Sequence, residues 1–188
     1  FPNSNNGADN EGNYDFWNDF DEGASVTSGD VFVICHPSAD ASIQSECDQS
    51  YTYLSNGNDG YCLAEGSEEA FTILDCIGNW DADPGDGWDV AGVSNATKDH
   101  TLVRKSIVLD GNNGDWDSSA GTNVENSEWE IYDQNTWVYL GYHEIDSSGN
   151  IYGCMDANAC NYNPDATVDN DSCTEEDCLG ECGGSAII

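Results

Sequence analysis

The chain has almost no positive charge. Lys98, Arg104 and Lys105 are its only basic residues among 188, set against 37 Asp and Glu, for a net charge of −34. Nucleic-acid binding draws its affinity from Lys and Arg on phosphates, so that class of partner is excluded. Anionic membrane surfaces repel such a chain for the same reason. Long apolar runs are also missing, and none reaches the length that crosses a bilayer, so no membrane insertion is expected. No basic stretch leads into an apolar one, so no signal peptide is recognisable. The sequence opens on Phe1 without Met, which reads as a processed or partial piece of a longer product. Histidine is scarce: His36, His100 and His143 fall in no metal-ligand pair, and neither a GxSxG elbow nor a phosphate-binding loop is present. Paired carboxylates occur throughout and single out no glycosidase cleft. The expectation is therefore a protein that is not an enzyme.

What the chain does contain is enough apolar matter for a core. Hydrophobic residues make up 38% and aromatics 11%, with six Trp and nine Tyr, which argues against disorder despite the charge. Nine cysteines place it outside the cytosol, secreted or at a cell surface, and the odd number leaves one for an outside partner or free. The acidic excess has two compatible readings. One is a solvated surface suited to seawater-like salt, where charges are screened within less than about 8 Å. The other is a set of carboxylates organised to hold Ca²⁺.

Alternating apolar positions and dense turn signals predict strands, with almost nothing helical. Strands are expected at Val31–Cys35, Tyr51–Leu54, Tyr61–Ala64, Ala70–Ile77, His100–Val108, Trp129–Tyr132 and Trp137–Tyr142, with a short one at Trp88–Val93. Asn56-Gly57-Asn58-Asp59-Gly60 reads as a hairpin turn pairing Tyr61–Ala64 back onto Tyr51–Leu54. About seven strands at this spacing predict an all-β sandwich. A break at Asp146–Asn150 separates residues 1–146 from residues 147–188. The latter hold five of the nine cysteines and few large aliphatics. That tail has too little apolar matter for a core and should be held by disulfides, ions or both.

The stretches GWDVAGVSNATKDHTLVRKS (Gly87–Ser106) and DWDSSAGTNVENSEWEIYDQNTWVYLG (Asp115–Gly141) resemble the lamin-tail domain family, and GDVFVICHPSAD and YLSNGNDGYCL upstream fit the same pattern. The resemblance implies an immunoglobulin-like β-sandwich over roughly residues 1–143, a binding or structural module with no catalytic constellation. One departure stands out. Members of that family begin with strands ahead of the equivalent of Phe1–Asn3, and those strands are lacking. This implies either a truncated sequence or an open groove completed by a strand from another chain. Ala186, Ile187 and Ile188 form a candidate donor. The tail, at GCMDANACNYNPDATVDNDSC (Gly153–Cys173) and DCLGECGG (Asp177–Gly184), is similar to cysteine-rich repeats of secreted marine surface proteins and loosely to calcium-holding thrombospondin type 3 repeats.

The residues that carry chemistry are mostly staples. Cys35 and Cys47 flank a short loop whose closure stabilises by about 3 kcal/mol on the chain-entropy account. Cys62 and Cys76 suit a cross-strand bridge. In the tail Cys178 and Cys182 suit a small loop, leaving Cys154, Cys160 and Cys173 with one pair and one over. Candidate Ca²⁺ ligands are Asp156, Asn158, Asn161, Asn163, Asp165, Asp169 and Asp171, since that ion takes six to eight hard oxygens. The loop Asp81–Asp86 is a second candidate. Asn95 and Asn170 open N-glycosylation sequons. The Trp residues are dispersed and mark no sugar-stacking platform. The functional expectation is an extracellular structural protomer of a self-assembling fibre or filament. Two alternatives stand beside it: an adhesion or carbohydrate-binding module of a larger secreted protein, and an accessory domain of a secreted hydrolase.

Overall fold

The computed structural model describes residues 2–4, 14–54, 56–79, 82–177, 179–180 and 182–184. The chain divides into two compact units, Phe1–Glu144 and Ile145–Ile188, a boundary two residues ahead of the expected one. Among these residues strands dominate and the two helices are one turn long, consistent with an all-β chain.

In the first unit, β1 (Pro2–Ser4), β2 (Phe16–Trp17), β5 (Gly60–Ser67) and β6 (Ala70–Ile77) form a four-stranded antiparallel sheet in the order β2-β1-β5-β6. Pro2 has no N–H to give and stands at the first residue of its strand, where a ladder tolerates it. Residues 2–4 pair on both sides, with Phe16–Trp17 and with Gly60–Tyr61. This corrects the expectation of an open groove at the start of the sheet: β1 is an inner strand.

The hairpin β5–β6 turns at Glu68-Glu69, and Gly66, at φ +125°, lets the turn close, since a Cβ there would lie 2.3 Å from the Ala70 carbonyl oxygen. The register shifts between Leu63 and Ala64, so Leu74 is an inserted residue that bends the strand. Cys62 and Cys76 stand directly opposite each other and are disulfide-bonded. On that bridge pack Tyr14 and Ile73, and Tyr14, Trp17 and Phe71 cluster beside it with centroids 5.1 to 5.7 Å apart.

The outer edge of β6 is covered. Asn112 acts as one more strand residue: its Oδ1 accepts from Cys76 N–H at 2.9 Å and its Nδ2 donates to Cys76 C=O at 2.7 Å. Asn113 N–H donates to Leu74 C=O. Gly111 is required by this approach, because a Cβ would sit 2.2 Å from the Leu74 oxygen.

Two short strands, β3 (Ile34–Cys35) and β4 (Gln49–Ser50), pair in parallel around α1 (Ala41–Gln44) and are stapled by Cys35–Cys47. The remaining pair is β7 (His100–Arg104) with β8 (Trp129–Asp133), antiparallel, with α2 (Trp116–Ala120) between them in sequence. Asp115 caps α2 by accepting from Ser118 N–H. The main core lies here: Trp88, Val90, Ala91, Ala96, Trp116, Ala120 and Trp129, flanked by Ala82, Leu102 and Ile131.

Several expected strands are absent or shorter. Val31–Cys35 contracts to β3, and His100–Val108 to β7. Tyr51–Leu54 is a turn, so Tyr61–Ala64 pairs with β1 and β6 instead of folding back on it. The Asn-Gly signal is used elsewhere: Gly57 lies against Thr97, whose hydroxyl donates to the Gly57 carbonyl, and Asn58 donates to Gly85 C=O. Trp88–Val93 is a turn with one bridge, Val90 to Val93. Trp137–Tyr142 is a turn closed by Leu140 N–H to Trp137 C=O, with Tyr139 stacked on Tyr132 of β8 instead of extending the sheet.

Among its described residues the second unit has β9 (Tyr152–Gly153) and β10 (Val168–Asp169), paired in parallel, and isolated bridges Cys154–Tyr162 and Glu176–Cys182. Its one buried hydrophobic side chain among the described residues is Cys154. Its order comes from the disulfides Cys154–Cys173 and Cys160–Cys182.

Candidate interaction site

All three cations are engaged inside the first unit. Arg104 donates to Asp75 at 2.7 Å and to Glu128 at 2.6 Å, with its guanidinium 4.8 Å from the centre of the Trp129 ring. Glu128 also accepts from the buried Ser119 hydroxyl, which in turn accepts from Trp129 Nε1–H. This network ties β6, β7, β8 and α2 together. Ser119 is 1% exposed, so its hydroxyl is a structural link with no access for a substrate. Lys105 donates to the carbonyls of Val124 and Ser127, and burial lowers its pKa against the raising effect of Glu130, Glu125 and Glu128. Lys98 pairs with Asp86 at 3.1 Å. With its cations spent internally, the chain presents a surface whose charge is almost wholly negative.

The sheet β7–β8 has two faces. Leu102, Arg104, Trp129 and Ile131 turn to the core. The other face is crossed by residues 136–143. There Tyr139 stacks on Tyr132 at 4.9 Å, their hydroxyls bond at 3.0 Å, and Tyr142 lies 6.5 Å from Tyr139. Tyr132 donates to Glu130, and that bond first, with the Tyr139 contact second, pushes its phenol well above the ordinary range. Between β7 and this segment lies a cavity of ≈ 280 Å³ bordered by Thr101–Arg104, Thr136, Trp137, Tyr139, Leu140, Tyr142 and His143. No carboxylate borders it. A smaller depression of ≈ 200 Å³ continues it past Ser106 to Glu130 and Glu144.

The expected site residues are placed as follows. Eight cysteines form four disulfides, Cys35–Cys47, Cys62–Cys76, Cys154–Cys173 and Cys160–Cys182. The Cys178–Cys182 pairing is corrected: Cys182 is bonded to Cys160. The reason is the backbone: Cys160 N–H donates to Thr174 C=O, and the Glu176–Cys182 bridge folds the chain back over Cys160. Cys178 lies outside the described residues, as do Ala186, Ile187 and Ile188, Asp81 of the acidic loop, and Trp80.

The oxygens proposed for Ca²⁺ mostly close turns. Asp156 accepts from Asn158, Asn163 from Asp165 N–H and Asp169 from Asp171 N–H, while Asn161 bridges Ser172 and Thr174. Among the described residues no three His, Cys, Asp or Glu side chains converge as a metal site. Asn95 and Asn170 are both exposed, Asn95 in a turn at φ 54°.

Sequence reasoning missed the groove. It also missed Asn112 as an edge cover, for which local sequence carries no mark.

Among the described residues no helix is long and apolar enough to cross a membrane. Comparison of the chain with models of protein families, with curated proteins and with solved structures gives no match.

Proposed function

We propose that this is a non-catalytic extracellular structural protein, a protomer that assembles with copies of itself into a fibre or filament. The observation that carries the proposal is an imbalance of burial. Among the described residues, twenty-one large hydrophobic side chains, from Phe16 to Leu179, are more than a third exposed, whereas the buried set is small residues, cysteines, Val90 and three Trp. A monomer tolerates scattered exposed apolar groups. A chain that leaves more large ones outside than inside has surface suited to a neighbour. The four disulfides support an extracellular setting. They also keep each unit folded while its apolar side chains face outward.

The lamin-tail-type sandwich is part of the same proposal. The antiparallel hairpin β5–β6 with its Cys62–Cys76 staple and the β7–β8 pair support it. N-glycans on Asn95 and Asn170 fit the extracellular reading, since both residues are exposed.

Assembly is tested by sedimentation velocity and negative-stain imaging of the oxidised chain over a concentration series in seawater-like salt, which screens the −34 charge. The expected result is concentration-dependent growth into linear particles. A single monomeric species at every concentration would sink the proposal.

A further inference from the structure

The turn beside β7 uses some of its polar atoms to hold itself and leaves others open. The Tyr139 hydroxyl donates to Tyr132 and the Thr136 hydroxyl to Asp133 C=O. Trp137 and Tyr142 border the cavity of ≈ 280 Å³ and are 37% and 50% exposed. His143 is half-buried at the junction of that cavity with the depression of ≈ 200 Å³. Among the described residues, the Trp137 indole N–H, the Tyr142 hydroxyl and the His143 ring nitrogens have no hydrogen-bond partner. Val103, Arg104, Tyr139, Tyr142 and His143 border both depressions, so the two form one elongated groove. Among the described Trp residues only Trp137 borders it. Tyrosines and His143 supply the other rings, which is why the dispersed Trp residues marked no platform.

We propose that this groove binds an uncharged oligosaccharide, with its sugar rings against Trp137 and Tyr142. The chemistry of the lining excludes the other classes of ligand in turn. An anion is repelled by the net charge of −34, and both terminal nitrogens of Arg104 are already paired with Asp75 and Glu128. A cation finds no carboxylate along the main cavity. A hydrocarbon, or the apolar surface of another protein, would cover the three open polar groups and give them nothing to bond, which costs free energy. A sugar ring meets each demand. Its C–H faces lie on aromatic rings, and its hydroxyls both donate and accept, so they pair with an indole N–H, a phenol and an imidazole at once. A largely apolar pocket with a few placed polar groups is the usual form of such a site. The elongated shape suits several linked sugars better than one. At the far end Glu130 and Glu144 add carboxylate oxygens that accept from hydroxyls. The site goes beyond the assembly reading and does not depend on it.

The test is an NMR titration of the full oxidised chain, kept dilute so that self-assembly does not enter. The probes are neutral hexasaccharides of glucose, mannose, galactose and xylose, with dextran sulfate as the anionic comparison. The resonances followed are the Trp137 indole N–H and the His143 imidazole. The expected result is a saturable shift of both with at least one neutral hexasaccharide and none with dextran sulfate. Tyr142→Ala and His143→Ala should each weaken that binding at least about tenfold, the equivalent of about 1.4 kcal/mol. Both variants keep all six Trp, so the fluorescence melting curve checks that each is folded. Three outcomes overturn the proposal: no saturable shift with any of the four neutral sugars, binding that both folded variants retain in full, or shifts of the two resonances by dextran sulfate in preference to the neutral sugars. None of these bears on whether the chain assembles.

Discussion

Replacing Cys154 and Cys173 together by Ser should unfold the second unit and leave the first intact. Residues 145–188 bury no large apolar side chain among those described, and their strands β9 and β10 are two residues each. Hydrophobic burial therefore contributes little. The two staples close loops of 19 and 22 residues. On the chain-entropy relation each is worth about 3 kcal/mol, or about 6 kcal/mol together. That sum is an upper bound, because the two loops overlap between Cys160 and Cys173. A domain of forty-odd residues has a net stability of roughly 2 to 7 kcal/mol. Loss of one bridge thus removes from about two-fifths to all of what holds the unit.

Sequence supplies a clean assay. All six Trp lie at or before Trp137, so Trp fluorescence reports the first unit alone. Amide exchange at Asn163, Thr167 and Val168, which donate to Cys154 and Ile151 carbonyls, reports the second. The variant should exchange these amides at unfolded rates while the fluorescence melting curve overlays that of wild type. Retained protection at the three amides would refute the argument that the staples substitute for a core.

Three further outcomes follow from the first unit and the tail. Arg104→Met leaves Asp75 and Glu128 half-buried without their cation and should cost about 3 kcal/mol in urea unfolding followed by Trp fluorescence; a loss below about 1 kcal/mol would show that solvent screens the triad. Asn112→Ala strips the partners from Cys76 N–H and C=O and should cost about 2 kcal/mol by the same measure, with faster exchange at Cys76; unchanged exchange there would mean that the edge is not held by this side chain. Asp115 accepts from the Ser118 side chain and N–H and is held below its ordinary value of 3.8. A depressed folded-state value means that its stabilisation is complete above the unfolded value and is lost as pH falls through the folded one. The difference in melting temperature between wild type and Asp115→Asn should accordingly be constant near neutrality and shrink on acidification below about pH 4. Comparing the two removes the opposing relief of charge repulsion, and a gap independent of pH would contradict the capping role.

Much of this protein is decided by sequence alone, where the determinants are local or compositional. The alternation in Ala70–Ile77 and Trp129–Tyr132 specifies strands at those positions, since side-chain period is a property of the segment itself. The pairs Cys35–Cys47 and Cys62–Cys76 are those expected from their places, around a short loop at a strand end and on consecutive strands. The acidic excess is fixed by composition wherever the residues end up. Tertiary structure decided the rest, because the competing possibilities were equal locally. Asn56–Gly60 is as good a hairpin turn as any, yet contact with Thr97 and Gly85 claims it. Trp137–Tyr142 alternates like a strand, yet stacking of Tyr139 on Tyr132 makes it a turn and opens the groove beside β7. Cys182 has Cys178 close by in sequence, yet its backbone bridge to Glu176 delivers it to Cys160. Pairings of this kind are settled by contacts between distant segments, and a local pattern holds no record of which segment will arrive.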